Sequence, residues 1–348
     1  MIKSLLARAL ATASSIALGV AGSQALGQDI GDGADAPWVQ VAAAVDDASE
    51  VGVTDVVQRE AVGTLRDLIR YLQISDAIFF NETIETGPDS ATRVSFLDDS
   101  SLSLGPSSRV VIDRFVYDPN QGTGEMAMSL STGVFRFTSG VIDDSNYRIS
   151  TPVSTIGIRG TEIDVSVTCR DVALGDCEII MDVRQGEAFM DTPNSAVDAP
   201  QGTRVVYRPA VSSQPQVTDL PPDAPPTPAV AAMIARINAA VVDLIESVLP
   251  PGVTMATASP GQLSDAAARL AAANPRAADL LIRGIGDRRP DAAGTVGSTL
   301  LSIAPGRSDR VVQALSDVLS GIQPQAGPAA PAPDLFAPAD DDDQDSPY

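Results

Sequence analysis

Residues 94–104 read Val94-Ser95-Phe96-Leu97-Asp98-Asp99-Ser100-Ser101-Leu102-Ser103-Leu104. Val94 and Phe96 alternate with polar neighbours, Leu102 and Leu104 do so again, and Asp98-Asp99-Ser100 lies between them. Alternation with a period of two on both sides of an Asp/Ser cluster is the pattern of a β-hairpin. The signal extends outward. Val110 and Ile112 continue it, then Met126, Met128 and Leu130, then Val134-Phe135-Arg136-Phe137. Asp118-Pro119-Asn120-Gln121-Gly122 and Ser131-Thr132-Gly133 read as turns between strands. Further strands are expected at Tyr147–Ser150, Thr161–Thr168, Cys177–Val183, Ala188–Asp191 and Arg204–Tyr207. Turn signals about every eight to twelve residues argue for an all-β main domain, as a sandwich, roll or solenoid. Leu65–Leu72 fits either a short helix or a strand.

Composition draws the limits of this domain. Twelve of the 14 aromatic residues lie between Trp38 and Tyr207, and none between Arg208 and Leu335. Aromatic and β-branched residues favour sheets, so the β domain is placed at 38–208. Residues 209–228, PAVSSQPQVTDLPPDAPPTP, read as a semi-rigid Pro-rich linker. Limited proteolysis is expected to cut there and leave a stable β fragment. An Ala/Leu/Val/Ile-rich, all-α region follows at 229–322, and a Pro/Ala-rich, acidic tail at 323–348 reads as disordered.

The all-α region has a period. Pro260, Pro275, Pro290 and Pro305 are spaced by fifteen residues, and Leu270, Ile285, Leu300 and Leu315 follow each by ten. Proline suits the first helical position, where its missing N–H has no intrahelical partner to lose. Each repeat is therefore expected to be one short helix and a turn. Val230–Leu249 reads as a longer amphipathic helix with Ile234, Ile237, Val241, Leu244, Ile245 and Val248 on its apolar face.

Charge and missing residue types narrow the function. The 348 residues carry 45 acidic and 23 basic side chains, a net charge of −22, so no nucleic-acid partner is expected. There is no histidine, and the only lysine is Lys3. That removes His-based triads and metal sites, Schiff bases and Walker-type phosphate loops. Adjacent acids such as Asp46-Asp47, Asp98-Asp99 and Asp143-Asp144 read as solvated turns rather than a hydrolase pair. The chain is expected to be no enzyme and to hold no cofactor or metal.

Lys3 and Arg8 precede the apolar run Ala9–Ala25, the n- and h-regions of a signal peptide. Cleavage is expected after Gly27, with Ala25 as the other site. Cutting after Gly27 removes two positive charges and leaves 321 residues at −24. No later stretch approaches 18 apolar residues, so no stable membrane span is expected in the mature chain. An exported chain meets an oxidising compartment, where Cys169 and Cys177 are expected to form a disulfide closing a hairpin loop.

Several runs resemble the FecR protein domain of bacterial envelope proteins. They are Asn81–Gly87, Phe96–Ser108, Ile112–Pro119, a Gly-x-Phe-Arg-Phe element at Gly133–Phe137, and Arg148–Thr161. Together they span about residues 75–195 in consistent order. The resemblance implies an all-β periplasmic domain; the founding members relay a ligand signal from an outer-membrane receptor to a sigma factor. Two features depart from that pattern. The usual Asp-Gly turn is Asp98-Asp99, and a signal peptide stands where the founding regulators have a cytoplasmic segment and a transmembrane helix. Contact with a cytoplasmic sigma factor is therefore not carried over. The motif residues singled out are Gly157, Arg159, Gly160, Thr161, Asp113 and Asp118. Gly157 and Gly160 fit close packing or tight turns. Arg159, amid isoleucines, is expected to be buried at least in part, against Asp113, Asp118 or Glu162. The expected function is a periplasmic ligand- or protein-binding sensor or adaptor. The alternative is a structural envelope component that self-associates or binds cell-wall glycan.

Overall fold

The computed structural model describes residues 49–143, 146–221 and 224–322. The expected signal peptide, the acidic tail and the Asp46-Asp47 pair lie outside the described residues. Fifteen strands come first: β1 (Glu50–Gln58), β2 (Ala61–Leu65), β3 (Leu68–Tyr71), β4 (Ala77–Phe79), β5 (Thr83–Thr86), β6 (Ala91–Phe96), β7 (Ser101–Leu104), β8 (Arg109–Asp118), β9 (Thr123–Thr138), β10 (Tyr147–Ser150), β11 (Thr155–Asp171), β12 (Asp176–Thr192), β13 (Ser195–Pro200), β14 (Thr203–Tyr207) and β15 (Gln216–Asp219). Five α-helices follow among the described residues: α1 (Pro228–Val248), α2 (Pro260–Ala273), α3 (Ala278–Gly286), α4 (Pro290–Ile303) and α5 (Ser308–Ile322).

The strands form two layers that share three long members. In the first layer the order is β4, β1, β6, β7, the Gly133–Thr138 half of β9, the Glu162–Val167 part of β11, the first half of β12, β14 and β15. In the second it is β3, β2, β5, β8, the first half of β9, β10, the Thr155–Arg159 end of β11, the second half of β12, and β13. All pairings are antiparallel except β9 with β10. One buried apolar cluster joins Phe96, Leu104, Phe135 and Val165 of the first layer to Val110, Met126, Ile149 and Ile156 of the second. This is a sandwich whose layers are joined by strands that turn a corner.

Glycines make the corner. Gly133, Gly160 and Gly186 have φ of +112°, +61° and +73°, one in each of β9, β11 and β12. A Cβ on Gly186 would lie 2.1 Å from the Gly160 carbonyl oxygen, and one on Gly133 within 2.2–2.5 Å of Ser108. Both positions need a left-handed backbone and an empty Cβ site. Ser131-Thr132-Gly133, expected as a turn between two strands, is thus a bend within β9. The same holds for Cys177–Val183 and Ala188–Asp191, which are two halves of β12.

Leu65–Leu72 resolves to strands. Arg66 and Asp67, with φ of 48° and 71°, form a two-residue turn between β2 and β3. Asp99 adopts φ +68°, so an aspartate fills the left-handed position that glycine usually takes. The Asp98-Asp99 turn is not a solvated pair. Asp98 is fully buried, accepting from Ser100 N at 3.1 Å, Ser100 Oγ at 2.6 Å and Tyr147 Oη at 2.6 Å.

The Pro-rich stretch 209–228 contains β15, which pairs with β14. Thr227 then caps α1, its Oγ1 accepting from Val230 N, with Pro228 in the first turn. Helix α1 is long and apolar enough to cross a membrane, which corrects the expectation that no later stretch approaches that length. Here it lies on the sheet. Val230, Met233, Ile237, Val241 and Ile245 are buried in a second apolar cluster with Val56 of β1 and Ala91 of β6.

The prolines mark alternate elements. Pro260 and Pro290 open 14-residue helices, whereas Pro275 and Pro305 open single 3₁₀ turns that lead into α3 and α5. Helix α2 packs on α4, and α3 on α5. The structural unit is therefore a helix pair of thirty residues, twice the spacing of the prolines. Among the described residues the helices pack on the first sheet layer, α1 against β1 and β6.

Candidate functional site

The first layer has an apolar face towards the sandwich core and a polar face towards the helices. Strand register aligns one residue from each strand on the polar face: Arg93 opposite Ser103, Ser103 opposite Arg136, Arg136 opposite Asp164, Asp164 opposite Asp182, and Asp182 opposite Arg204. Neighbours in such a row lie close enough to pair directly. Arg136 Nε and Nη2 donate to Asp164 at 2.7 and 3.0 Å. Arg184 reaches across from β12, donating from Nε to Asp164 at 3.0 Å and from Nη2 to Asp182 at 3.1 Å. Arg204 grips Asp182 with two bonds at 2.6 and 2.7 Å. Asp164 and Asp182 are buried, so each carboxylate depends on these guanidiniums for its charge balance.

At the β1 end the row meets the helices. Asp55 accepts from Arg93 Nη1 at 3.0 Å, Ser95 Oγ at 2.5 Å and Asn274 Nδ2 at 3.1 Å. The other arm of Arg93 donates to Asp279 of α3 at 2.7 Å. Arg307 pairs with Asp99 and lies 3.6 Å from Asp279 Oδ1. Arg310 Nη2 donates to the carbonyls of Asp99 and Ser139. The helices are thus fastened to the sheet by buried, charge-assisted bonds.

The shared arginine divides the two acids. Burial pushes the Asp55 carboxyl up, more than Arg93, Ser95 and Asn274 pull it down. Burial also acts on Asp279, but Arg93, Arg307, Arg310 and Arg283 together hold it below the usual range. Burial, with Arg307 and Arg93 nearby, lowers Arg310.

Between this face and helices α1, α3 and α5 lies a cleft of about 260 Å³. Arg93, Arg136, Arg184, Arg283 and Arg310 line it with Glu162, Asp279 and Asp317, and Ile234, Ile237 and Leu280 form an apolar wall. Among the described residues, no cluster of three or more Cys, Asp or Glu side chains is arranged to hold a metal ion.

The residues singled out in sequence lie elsewhere, in the second layer and at the corner. Gly157 leaves room for the Phe189 ring, which a Cβ would approach to 2.0 Å. Thr161 locks the corner: its Oγ1 donates to Glu187 O at 2.6 Å, and its N donates to Ser139 Oγ at 2.9 Å. Arg159 is exposed, correcting the expected burial. The bulge at Arg159–Glu162 turns its side chain to solvent. Its three expected partners are engaged elsewhere: Glu162 with Arg136 at 3.5 Å, Asp113 with Ser129 Oγ, and Asp118 with Asn120 N at 2.9 Å. Cys169 and Cys177 face each other across β11 and β12 and are disulfide-bonded, with Cα atoms 4.0 Å apart. The charged row went unread because its members come from different strands and meet only through strand register. Its sequence signal is an Arg or Asp at an outward position in strand after strand.

Residues 82–188 match the family described as FecR protein. The match runs from just before β5 into the second half of β12, so it contains Arg93, Arg136, Asp164 and Asp182 and excludes the helices. Two crystal structures of a candidate anti-sigma factor from Parabacteroides distasonis ATCC 8503 are similar at 12% and 14% identity, with TM-scores of 0.32 and 0.31. Each alignment covers 40% of this chain and 59% of that one, and likeness at this level carries no argument about activity. No curated protein matches the chain. The chain carries a FecR domain, and that domain supplies the centre of the charged row on which the helices sit.

Proposed function

We propose that this chain is a non-catalytic signalling protein of the cell envelope, a sensor or adaptor acting outside the cytoplasm. The observation that carries the reading is the fastening of the helices onto the FecR domain through Arg93, Asp55 and Asp279. A second element held by shared, buried charges has a defined docked state, and a ligand or partner that competes for those charges shifts it. The Cys169–Cys177 disulfide supports an oxidising compartment. Deleting the chain from its organism and profiling transcripts tests the reading. A signalling protein changes a discrete set of transcripts. Unchanged transcripts with detergent-sensitive cells would instead support a structural envelope component.

A further inference from the structure

We propose that the cleft between the first sheet layer and helices α3 and α5 binds a small organic anion with two negative charges and a short apolar body. This names a ligand class for the sensor reading above and rests on that reading for its biological use. Five arginines and three carboxylates line the cleft, and further carboxylates lie beneath it. Three of the arginines are balanced from beneath, Arg93 by Asp55, Arg136 by Asp164, and Arg184 by Asp164 and Asp182. Arg310 is different. Among the described residues it has no carboxylate within ion-pair distance, and only its Nη2 is hydrogen-bonded, to two carbonyls. Its Nε and Nη1 are not among the sealed, unpartnered atoms, so they keep access to the cleft.

Arg283, one turn along α3 from Asp279, pairs at 2.7 Å with Asp317, and both side chains are about two-fifths exposed. Exposed pairs of this kind are weak and exchange readily for a better-placed anion. Arg310 and Arg283 are therefore the two groups that gain most from a ligand. Burial and the charges of Arg307 and Arg93 hold Arg310 low, and a bound anion relieves that strain on the charged form. Ile234, Ile237 and Leu280 offer a wall for a few methylene groups. The volume of about 260 Å³ suits a small molecule and excludes a folded partner.

Isothermal titration of the full chain tests this with glutarate as probe, glutaramide as its neutral counterpart, and inorganic phosphate in a separate arm. Saturable glutarate binding at one site is expected, at least about tenfold tighter than glutaramide, the effect of losing charge-assisted bonds. Tighter binding of phosphate would assign the site to phosphoryl rather than carboxylate ligands. Arg310→Met and Arg283→Gln should each weaken glutarate at least about tenfold. Arg283→Gln serves if Arg310→Met fails to fold, since Arg283 is partly exposed and pairs with the equally exposed Asp317. Arg109→Gln, whose exposed partner is Glu85 on the other layer, should change nothing. No saturable binding of either anion, or equal binding by Arg283→Gln and the parent, would overturn the proposal. Binding without any transcript response on deletion would strike the signalling reading alone.

Discussion

At the scale of single residues, the corner of the sandwich is the least forgiving place. Gly186 combines φ +73° with a backbone oxygen 2.1 Å from any added Cβ. Gly186→Ala should destabilise the chain by about 2–4 kcal/mol, because neither the left-handed backbone nor the clash can relax cheaply. Denaturant unfolding measures this, and a loss below about 0.5 kcal/mol would show that the corner yields. The disulfide is milder. It closes a loop of only eight residues' separation, so replacing both cysteines by serine should cost about 2–3 kcal/mol and leave the fold intact. Mass spectrometry after alkylation without reductant should find no free thiol in protein from an oxidising compartment. The cysteine pair was legible in the sequence, since two close cysteines in an exported chain are a local signal. Arg159 was not. Its apolar neighbours suggested burial, but a bulge rotates it outward, and no local pattern announces a bulge two residues on.

At the scale of elements, the contact of α3 with the sheet depends on one shared guanidinium. Arg93→Met removes the ion pair of buried Asp55 and the closer of the two made by Asp279, and should cost about 3–5 kcal/mol. Hydrogen exchange should then rise first in α3. The two acids give opposite pH dependences. The Asp279 value is lower folded than unfolded, so its stabilisation is present above the ordinary carboxylate range and lost as pH falls through the folded value. The Asp55 value is raised, so its contribution is full below the unfolded value and fades as pH rises through the folded one. Asp279→Asn should abolish the acid-side loss of stability, and Asp55→Asn should flatten the change on the other side. Unfolding midpoints measured across about pH 2–7, from about two units below to about three units above the ordinary aspartate value, check both. Most strands from β6 to β14 and the helices were readable from alternation and from the proline period, whereas β1, β4, β13 and β15 were not. What merged or split them was not: Gly133 and Gly186 bend continuous strands, and Pro275 and Pro305 open turns rather than full helices.

At the scale of the whole molecule, composition changes at 209–228, and the helix that begins at Pro228 packs on β1 and β6. The aromatic-rich and alanine-rich zones are real, but composition carries no information on which surfaces meet. Val56 and Ala91, outward-facing on β1 and β6, are covered by α1, and Arg93 is covered by α3. A β fragment without its helices would expose this apolar patch and the unpaired ends of the charged row. The most direct test is a specific protease site placed between Pro221 and Thr227, cut in the purified chain, followed by size exclusion at neutral pH. The two pieces should co-elute as one particle, and the β piece isolated in denaturant should refold with a lower unfolding midpoint than the nicked pair. Pieces that separate on the column, with a β fragment as stable as the parent chain, would contradict the account that the FecR domain and its helices work as one unit.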